Sequence, residues 1–306
     1  MDNAELSFGI MMLFQISIGV TGNVFLLLFY IRMIFINHKP SSSDLILAHL
    51  ALANTITLLT RGIPDTLFLW GLRNFLDIVG CKMAIYLYRV GRGLTICTTC
   101  LLSIFQAVTI SPGTNRWAGV KAKLPKCILP SFVIFWILNM LIDFNMLIFV
   151  TGPQNTHAHQ DMKYCSVINT SAQATLIFSV VLSLRDLFFV GLMSVASGYM
   201  VFVLHRHHRQ VRHLHGPGRP PRVMPEVRAA KRVVSLVTLY VLLYGRQTVM
   251  LAVMLNVKQI SPLLVDCHML LSFTFSAISP FLMIHSDRRM RKFWKRESPA
   301  SDPDPS

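Results

Sequence analysis

The sequence predicts an all-α membrane protein, a bundle of seven transmembrane helices with the N-terminus outside the cell and the C-terminus inside. Composition supports a membrane protein, because 53% of the 306 residues are hydrophobic and only 14% are charged. An average soluble domain has about 25% charged residues. The number of helices follows from seven apolar runs, since a transmembrane helix takes about 20 such residues. The orientation follows from the positions of the basic residues.

The seven runs follow one another with short loops between them and leave no room for a second domain. The second run is the weakest, because Asn54, Thr55 and Thr57 dilute it, and the fifth is long enough to project beyond the bilayer. We predict a short extracellular head at residues 1–7, a seven-helix domain at 8–285 and a cytoplasmic basic tail at 286–306. The predicted spans are residues 8–31, 44–59, 83–108, 127–150, 172–204, 233–257 and 263–285.

The orientation rests on the distribution of Lys and Arg. With the N-terminus outside, twenty of the 29 lie in inner segments and five, Arg61 among them, in outer segments. Cytoplasmic segments of membrane proteins carry such an excess. The head has no basic stretch, so we expect no cleaved signal peptide. It is also too short to capture a protein, so we expect a ligand to be small and to enter the helix bundle.

Two features of the predicted outer side concern covalent modification. Cys81 stands at the mouth of the third span and Cys165 in the loop after the fourth, where a disulfide would persist. A bond between them would hold that loop over the bundle, and the alternative is two free thiols. Asn169 begins the sequon Asn-Thr-Ser on the same loop, which predicts a glycosylation site close to the fifth span.

Six ionisable residues fall within the predicted spans. Each costs about 2.5–3.5 kcal/mol at the bilayer centre, so each is expected to face the interior of the bundle. Counted from the outer ends of the spans, all six lie in the outer half of the membrane or near its midplane. We predict that they line a ligand pocket that opens outward. The six candidate ligand-binding residues are Arg89, Arg92, Asp143, Arg185, Asp186 and Arg246.

The alternative role of these six residues is structural, with the two aspartates pairing with arginines to fix the packing of the helices. Four arginines and two aspartates leave at least two arginines without an acidic partner in the set. The surplus positive charge therefore favours a ligand with an anionic group, such as a sulfate or a carboxylate.

Other chemistry has little support in the sequence. Cys97 and Cys100 form a CxxC pair in the middle of an apolar span, where we expect them to pack in the core. The histidines at 205–215 belong to a basic loop, which we expect to face anionic lipid headgroups rather than a metal ion. The sequence contains no HExxH, GxSxG or Walker A motif. We therefore expect no enzymatic activity and no cofactor or metal. The basic residues lie between apolar runs, so we also expect no nucleic-acid partner.

Seven spans, a tethered outer loop and a basic inner face suggest a G-protein-coupled receptor, but the motifs depart from the large rhodopsin-like class. The second span has Asn54 where that class usually has Asp, the third lacks Asp-Arg-Tyr, and the seventh ends Ser279-Pro280 without Asn-Pro-x-x-Tyr. In these departures the chain resembles the type-1 vomeronasal receptors, a pheromone receptor family. The order of several fragments carries the resemblance: HLALAN at 49–54, GCK at 80–82, YRVGRG at 88–93, CTTCLLS at 97–103, YCS at 164–166, LHRH at 204–207, PExRA at 225–229 and SP at 279–280.

The resemblance implies a receptor for small pheromone-like molecules in the plasma membrane of sensory neurons, coupled to an inhibitory-class heterotrimeric G protein. It also places Arg89 and Arg92 inside a family motif. We expect the ligand to favour a state whose inner face opens to the G protein. The inner face would be formed by the end of the third span, the loop at 116–126 and the base of the sixth span. The candidate coupling residues are Phe105, Gln106, Ala107, Arg116, Lys121, Arg228, Lys231 and Arg232.

Some alternatives remain open at this point. Lys231 and Arg232 would equally serve as anchors at the lipid headgroups. A bitter taste receptor shares the topology and the lack of Asp-Arg-Tyr. A small-solute transporter is disfavoured, because seven spans do not divide into matched halves. A receptor that reaches the membrane without signalling has the same sequence features.

Overall fold

The computed structural model describes residues 3–36, 41–72, 75–112, 115–151, 158–162, 165–168, 172–214, 225–256, 262–287 and 290. The protein is predominantly helical, as predicted. The helices are α1 (Asn3–Ile36), α2 (Ser42–Thr57), α3 (Ile63–Leu69), α4 (Ile78–Ile110), α5 (Asn115–Ile142), α6 (Asn145–Phe149), α7 (Ala172–Leu214), α8 (Pro225–Asn256), α9 (Pro262–Ser272) and α10 (Thr274–Ser286). The strands are β1 (Val150–Thr151), β2 (Ala158–Met162) and β3 (Cys165–Ile168).

Within the described residues, six helical segments are long and apolar enough to cross a membrane: Leu6–Ile36, Ser42–Leu69, Ile78–Ile110, Ala118–Phe149, Leu176–His207 and Cys267–His285. Each contains or overlaps one predicted span. The remaining predicted span, residues 233–257, lies in α8 as far as Asn256, where the described part of that segment ends, and α8 is not one of these six. The helix α8 has 32 residues, or about 48 Å at 1.5 Å per residue.

The second span extends ten residues past its predicted end, so the assignment of Arg61 to an outer segment was wrong. A π-helical turn, Leu58–Gly62, joins α2 to α3. Threonines dilute the hydropathy here, but the helix accommodates them because their hydroxyls donate to carbonyls one turn earlier, as Thr57 does to Ala53 at 2.9 Å. Pro64, which has no N–H to donate, lies just after the wider turn.

Two segments predicted as loops are helical. The basic segment at 116–126 belongs to α5, which begins at Asn115. The histidine-rich segment continues α7 as far as Leu214, and His205 and His207 are exposed along it. A helix that projects from the bilayer keeps its backbone hydrogen bonds, so loss of hydropathy alone does not end it.

A small sheet between α6 and α7 was not predicted. Its antiparallel strands are ordered β1-β3-β2, with Val150 opposite Val167 and Met162 opposite Cys165. Val150 and Cys165 are buried together with Cys81 and Ile85 at the start of α4. The sheet is therefore packed on the end of the central helix.

The helix α4 is the centre of the bundle. In its most apolar stretch 72% of the residues are buried, compared with 22% in those of α5 and α7. Polar side chains join it to its neighbours. Asn54 on α2 accepts a hydrogen bond from Thr95 on α4 (3.3 Å) and donates to Ser279 on α10 (3.0 Å) and Asn23 on α1 (3.3 Å). Asn54, which stands where the rhodopsin-like class usually has Asp, thus connects four helices.

Candidate functional site

A disulfide bond between Cys81 and Cys165 joins the first turn of α4 to strand β3, as the sequence predicts. The Cα atoms are 5.8 Å apart, and both residues are buried. The bond fixes one end of α4, the helix that carries Arg89 and Arg92 two to three turns further on. We call this the disulfide end of the bundle.

Five of the six predicted charged residues form one network, which we call the charge network. Arg89 Nε lies 2.8 Å from Asp143 Oδ1, and Arg92 Nη2 lies 2.9 Å from Asp186 Oδ2. Arg185 bridges the two pairs, because its Nη1 lies 3.3 Å from Asp143 Oδ2 and its Nη2 lies 2.9 Å from Asp186 Oδ1. The network connects α4, the turn after α5, and α7.

The network corrects the expectation that at least two of the arginines lack an acidic partner. Each carboxylate has two oxygens and accepts from two guanidinium groups, so two aspartates serve three arginines. Asp143 is fully buried, and the side chains of Asp186 and Arg185 are each 7% exposed. Ionised groups at such depth persist only when they are paired, and such pairing is what the structural alternative predicts. It retains one uncompensated positive charge.

A second layer of contacts orients the network. The side-chain oxygen of Asn139 accepts from Arg185 Nη1 at 3.0 Å, and its amide donates to the Phe135 carbonyl at 2.7 Å. Arg89 Nη1 lies 3.2 Å from the sulfur of Met146. Gly93 makes room for this layer, because a Cβ there would overlap the Asn139 oxygen and lie 2.7 Å from its Cγ.

A cavity of about 50 Å³ lies beside the network, toward α8, α9 and α10. Arg92 and Arg246 are the charged residues that line it, so these two of the six predicted ligand-binding residues face one space. The other four are committed to the charge network and do not line the cavity. The remaining wall is mainly aromatic and aliphatic and includes Tyr88, Tyr240, Tyr244, Leu243, Leu271 and Phe275.

The two cavity arginines differ in their partners. Arg92 forms an ion pair with Asp186 on α7, a carboxylate that it shares with Arg185. Arg246 Nη1 lies 3.2 Å from His268 Nδ1, and its buried Nε makes no hydrogen bond within the described part of the chain. Arg246 also forms no ion pair with an acidic residue among the described side chains. Of the two cavity arginines, Arg246 is therefore the one whose positive charge has no acidic partner among the described side chains.

Three polar residues close to this site were not among the predicted site residues. Arg61 pairs with Asp65 at 3.3 Å, and its guanidinium lies over the Tyr88 ring, 4.6 Å from the centroid. His268 was not counted among the charged residues of the spans, because the formal charge of the sequence takes histidine as neutral. The spacing of Arg61 and Asp65, four residues apart, is typical of an ion pair on one helix face and was the available signal.

The candidate coupling residues lie at the other end of α4 and on α5 and α8. Gln106 and Ala107 are buried, at 6% and 8% exposure, whereas Phe105 is half-buried. Lys121 Nζ donates to the carbonyl of Ser111 at 2.6 Å. On α8, Arg228 and Arg232 are half-buried and Lys231 is exposed, and Arg116 lies in the first turn of α5.

The remaining predictions concern the CxxC pair, the glycosylation site, the tail and metal binding. Cys97 and Cys100 are buried in the core, as expected, at 0% and 2% exposure. Asn169 and the residues after 290 lie outside the described residues. Within the described residues, no group of three or more potential ligands that could hold a metal ion is present.

Comparison with known proteins identifies one matching family profile and several relatives that cover most of the chain. Residues 6–296 match the profile of the "Vomeronasal organ pheromone receptor family". The chain is 37% identical to human "Vomeronasal type-1 receptor 4" over 292 residues, which cover 94% of this chain and 97% of that protein. It is 37% identical to "Olfactory receptor class A-like protein 1" of Danio rerio over 287 residues, covering 92% and 90%. It is 41% identical to "Vomeronasal type-1 receptor 3" of Pan troglodytes over 233 residues, covering 74% and 75%.

Proposed function

The chain belongs to the vomeronasal organ pheromone receptor family, and we propose that it is a G-protein-coupled receptor for small pheromone-like molecules. The family makes it a chemosensory receptor in a membrane that it crosses several times. Beyond this, we propose that it resides in the plasma membrane of sensory neurons and activates an inhibitory-class heterotrimeric G protein. The names of its relatives favour this function over a taste receptor or a solute transporter.

The proposed topology has seven spans, with α8 as the sixth. The disulfide end of the bundle would face the outside, where an oxidising environment maintains the bond. Residues 1–7 would then be extracellular, and residues 286–306 would form a cytoplasmic basic tail. The excess of Lys and Arg on the opposite side supports this orientation. Asn169 would be glycosylated on the outer side.

The observation that carries the ligand proposal is the cavity that contains Arg92 and Arg246. Aromatic and aliphatic walls suit an apolar body, and Arg246, whose polar partner among the described side chains is His268, suits an anionic group. We therefore propose that the ligand is a small amphipathic anion, with a carboxylate or sulfate at Arg246.

The size of the cavity supports a conformational change on binding. Ligand pockets commonly have volumes of about 300–1,000 Å³, whereas this cavity has about 50 Å³. A ligand would therefore bind a wider minor conformation and increase its population. The same change would expose coupling residues that are buried here, such as Gln106 and Ala107, with Phe105, Arg116, Lys121, Arg228, Lys231 and Arg232 completing the G-protein face.

The test is G-protein activation in cells that express the chain, screened with sulfated, carboxylated and neutral small molecules. We expect anionic agonists whose response is abolished when inhibitory-class coupling is blocked. A hydrogen bond to a charged group contributes about 1.5–3 kcal/mol, so Arg246→Gln should reduce the potency of an anionic agonist by about 10- to 100-fold.

Arg206→Gln, at an exposed position on α7, is the matched control and should leave potency unchanged. Surface expression is measured for each variant. If Arg246→Gln kept wild-type potency at normal surface density, the proposed anchor would be wrong. If no compound of any charge class activated a G protein, the receptor proposal itself would lose its support.

A further inference from the structure

Ser111 lies at the end of α4 that is farthest from the disulfide, and three helices meet there. It follows the last residue of α4, and only 3% of it is exposed. It is about 45 Å from Cys81 along the helix, at 1.5 Å per residue. Ser111 contacts Lys121 of α5 and Tyr199 of α7 through hydrogen bonds. We call these three residues the distal junction.

The direction of the hydrogen bonds in the distal junction follows from the number of protons. The Ser111 hydroxyl donates its single proton to the carbonyl of Ala107 at 2.8 Å. The contact of 3.0 Å between Ser111 Oγ and Tyr199 Oη therefore has the tyrosine as donor. The carbonyl of Ser111 accepts from Lys121 Nζ at 2.6 Å. One residue thus receives a donor from each of two neighbouring helices.

The distal junction supplies a hydrogen-bond donor to the last carbonyls of α4. The last carbonyls of a helix have no intrahelical donors and carry a partial negative charge, so a nearby ammonium group is favourable. Lys121 provides that ammonium group, and its hydrogen bond to the Ser111 carbonyl holds the lysine side chain in place. Between the described side chains, Ser111 is joined to Tyr199 of α7 by a hydrogen bond between two hydroxyls, which is weak enough to break in a conformational equilibrium.

From this geometry we propose that Ser111, Lys121 and Tyr199 are positioning residues that hold α7 against α4 and α5 in the resting receptor. The Tyr199–Ser111 bond breaks when the G-protein face opens. The proposal rests on the proposed function for the identity of that face. It gives the chain a polar contact that maintains the resting state at the end of α4 where Asp-Arg-Tyr is missing.

The experiment removes single hydroxyl groups and measures both conformation and signalling. Tyr199→Phe and Ser111→Ala each delete one partner. Thr109→Val is the matched control, because the Thr109 hydroxyl is exposed near the same end of α4 and donates to Phe105 within the helix. Surface density and thermal stability are measured for every variant.

Conformation is measured by electron–electron resonance between two spin labels. One label is attached to the native exposed Cys127 on α5 and the other to a cysteine introduced by Phe202→Cys on the exposed face of α7. The background carries Cys267→Ser, and the buried Cys97 and Cys100 are retained. Signalling is measured as basal nucleotide exchange by a reconstituted inhibitory-class G protein without ligand.

We expect Tyr199→Phe and Ser111→Ala each to raise a longer-distance population by about 2- to 10-fold, which corresponds to the loss of one net hydrogen bond. Basal nucleotide exchange should rise in proportion. Both changes remove the Tyr199–Ser111 bond, and Ser111→Ala also removes the bond to the Ala107 carbonyl. Thr109→Val should change neither readout.

An unchanged distance distribution in both single variants at normal stability would overturn the proposal. A longer-distance population without a rise in nucleotide exchange would support the junction as a contact that holds α7. It would contradict the G-protein coupling proposed above. The two readouts therefore separate failure of this inference from failure of the proposed function.

Discussion

Removing the charge of Asp143 should destabilise the receptor strongly. Asp143 is fully buried and accepts from Arg89 at 2.8 Å and from Arg185 at 3.3 Å. Asp143→Asn leaves both guanidinium groups in the bundle. Arg185 keeps Asp186, but Arg89 has no second acidic partner within the described residues. The network then holds three arginines against one aspartate, so its uncompensated positive charge rises from one to two.

Breaking a buried ion pair by removing one partner costs about 3–5 kcal/mol. We expect a value near the lower limit, about 3 kcal/mol, because the Asn oxygen still accepts one hydrogen bond. For a chain of this size, about 2–4 °C per kcal/mol corresponds to a decrease of about 6–12 °C in the apparent melting temperature. The assay is thermal unfolding of the purified receptor in detergent, together with surface expression.

The same chemical change at Asp77 is the matched control. Asp77 is exposed and caps the N-terminus of α4 by accepting from the Gly80 N–H at 2.7 Å. Asn caps a helix about as well as Asp, so Asp77→Asn should have little effect. Adding Arg89→Met to Asp143→Asn should restore part of the lost stability, because it removes the unpaired cation. If Asp143→Asn were as mild as Asp77→Asn, the reasoning about the charge network would be refuted.

Three further substitutions test other contacts by thermal unfolding and surface expression. Gly93→Ala should cost about 1–3 kcal/mol, because the new Cβ would overlap the Asn139 side chain; a stability equal to wild type would show that this layer can shift freely. Asn54→Leu should cost about 1–3 kcal/mol, because the Asn23 side-chain oxygen and the Ser279 hydroxyl lose the donor that Asn54 provides, and a neutral effect would argue against that connection. Cys165→Ser should cost about 2–5 kcal/mol, with Cys81→Ser adding nothing further; additive losses would show a role beyond the disulfide.

Much of the fold could be predicted because long apolar runs have few alternatives in a chain with so little charge. The disulfide and the inward placement of the charges followed from topology and from the cost of burying ions. The pairing within the charge network could not be predicted, because it depends on how each helix is rotated about its axis. Hydropathy does not determine that rotation.

Other features were missed for identifiable reasons. Arg61 was assigned to a loop because hydropathy falls where hydroxyl groups accumulate, although hydroxyls bonded to their own helix do not end it. His268 was missed because only formal charges were counted. The sheet after α6 could not be predicted, since its strands are two to five residues long and show no clear alternation.

The positions of the network residues along the chain have a consequence for how the receptor is made. Membrane helices enter the bilayer as synthesis proceeds from the N-terminus, so Arg89 is already in place when Asp143 arrives on the next span. Arg185 and Asp186 then enter as immediate neighbours that neutralise each other, with 2.9 Å between Arg185 Nη2 and Asp186 Oδ1. Each carboxylate of the charge network thus meets a cation on arrival, and neither has to wait in lipid for a partner that has not yet been translated.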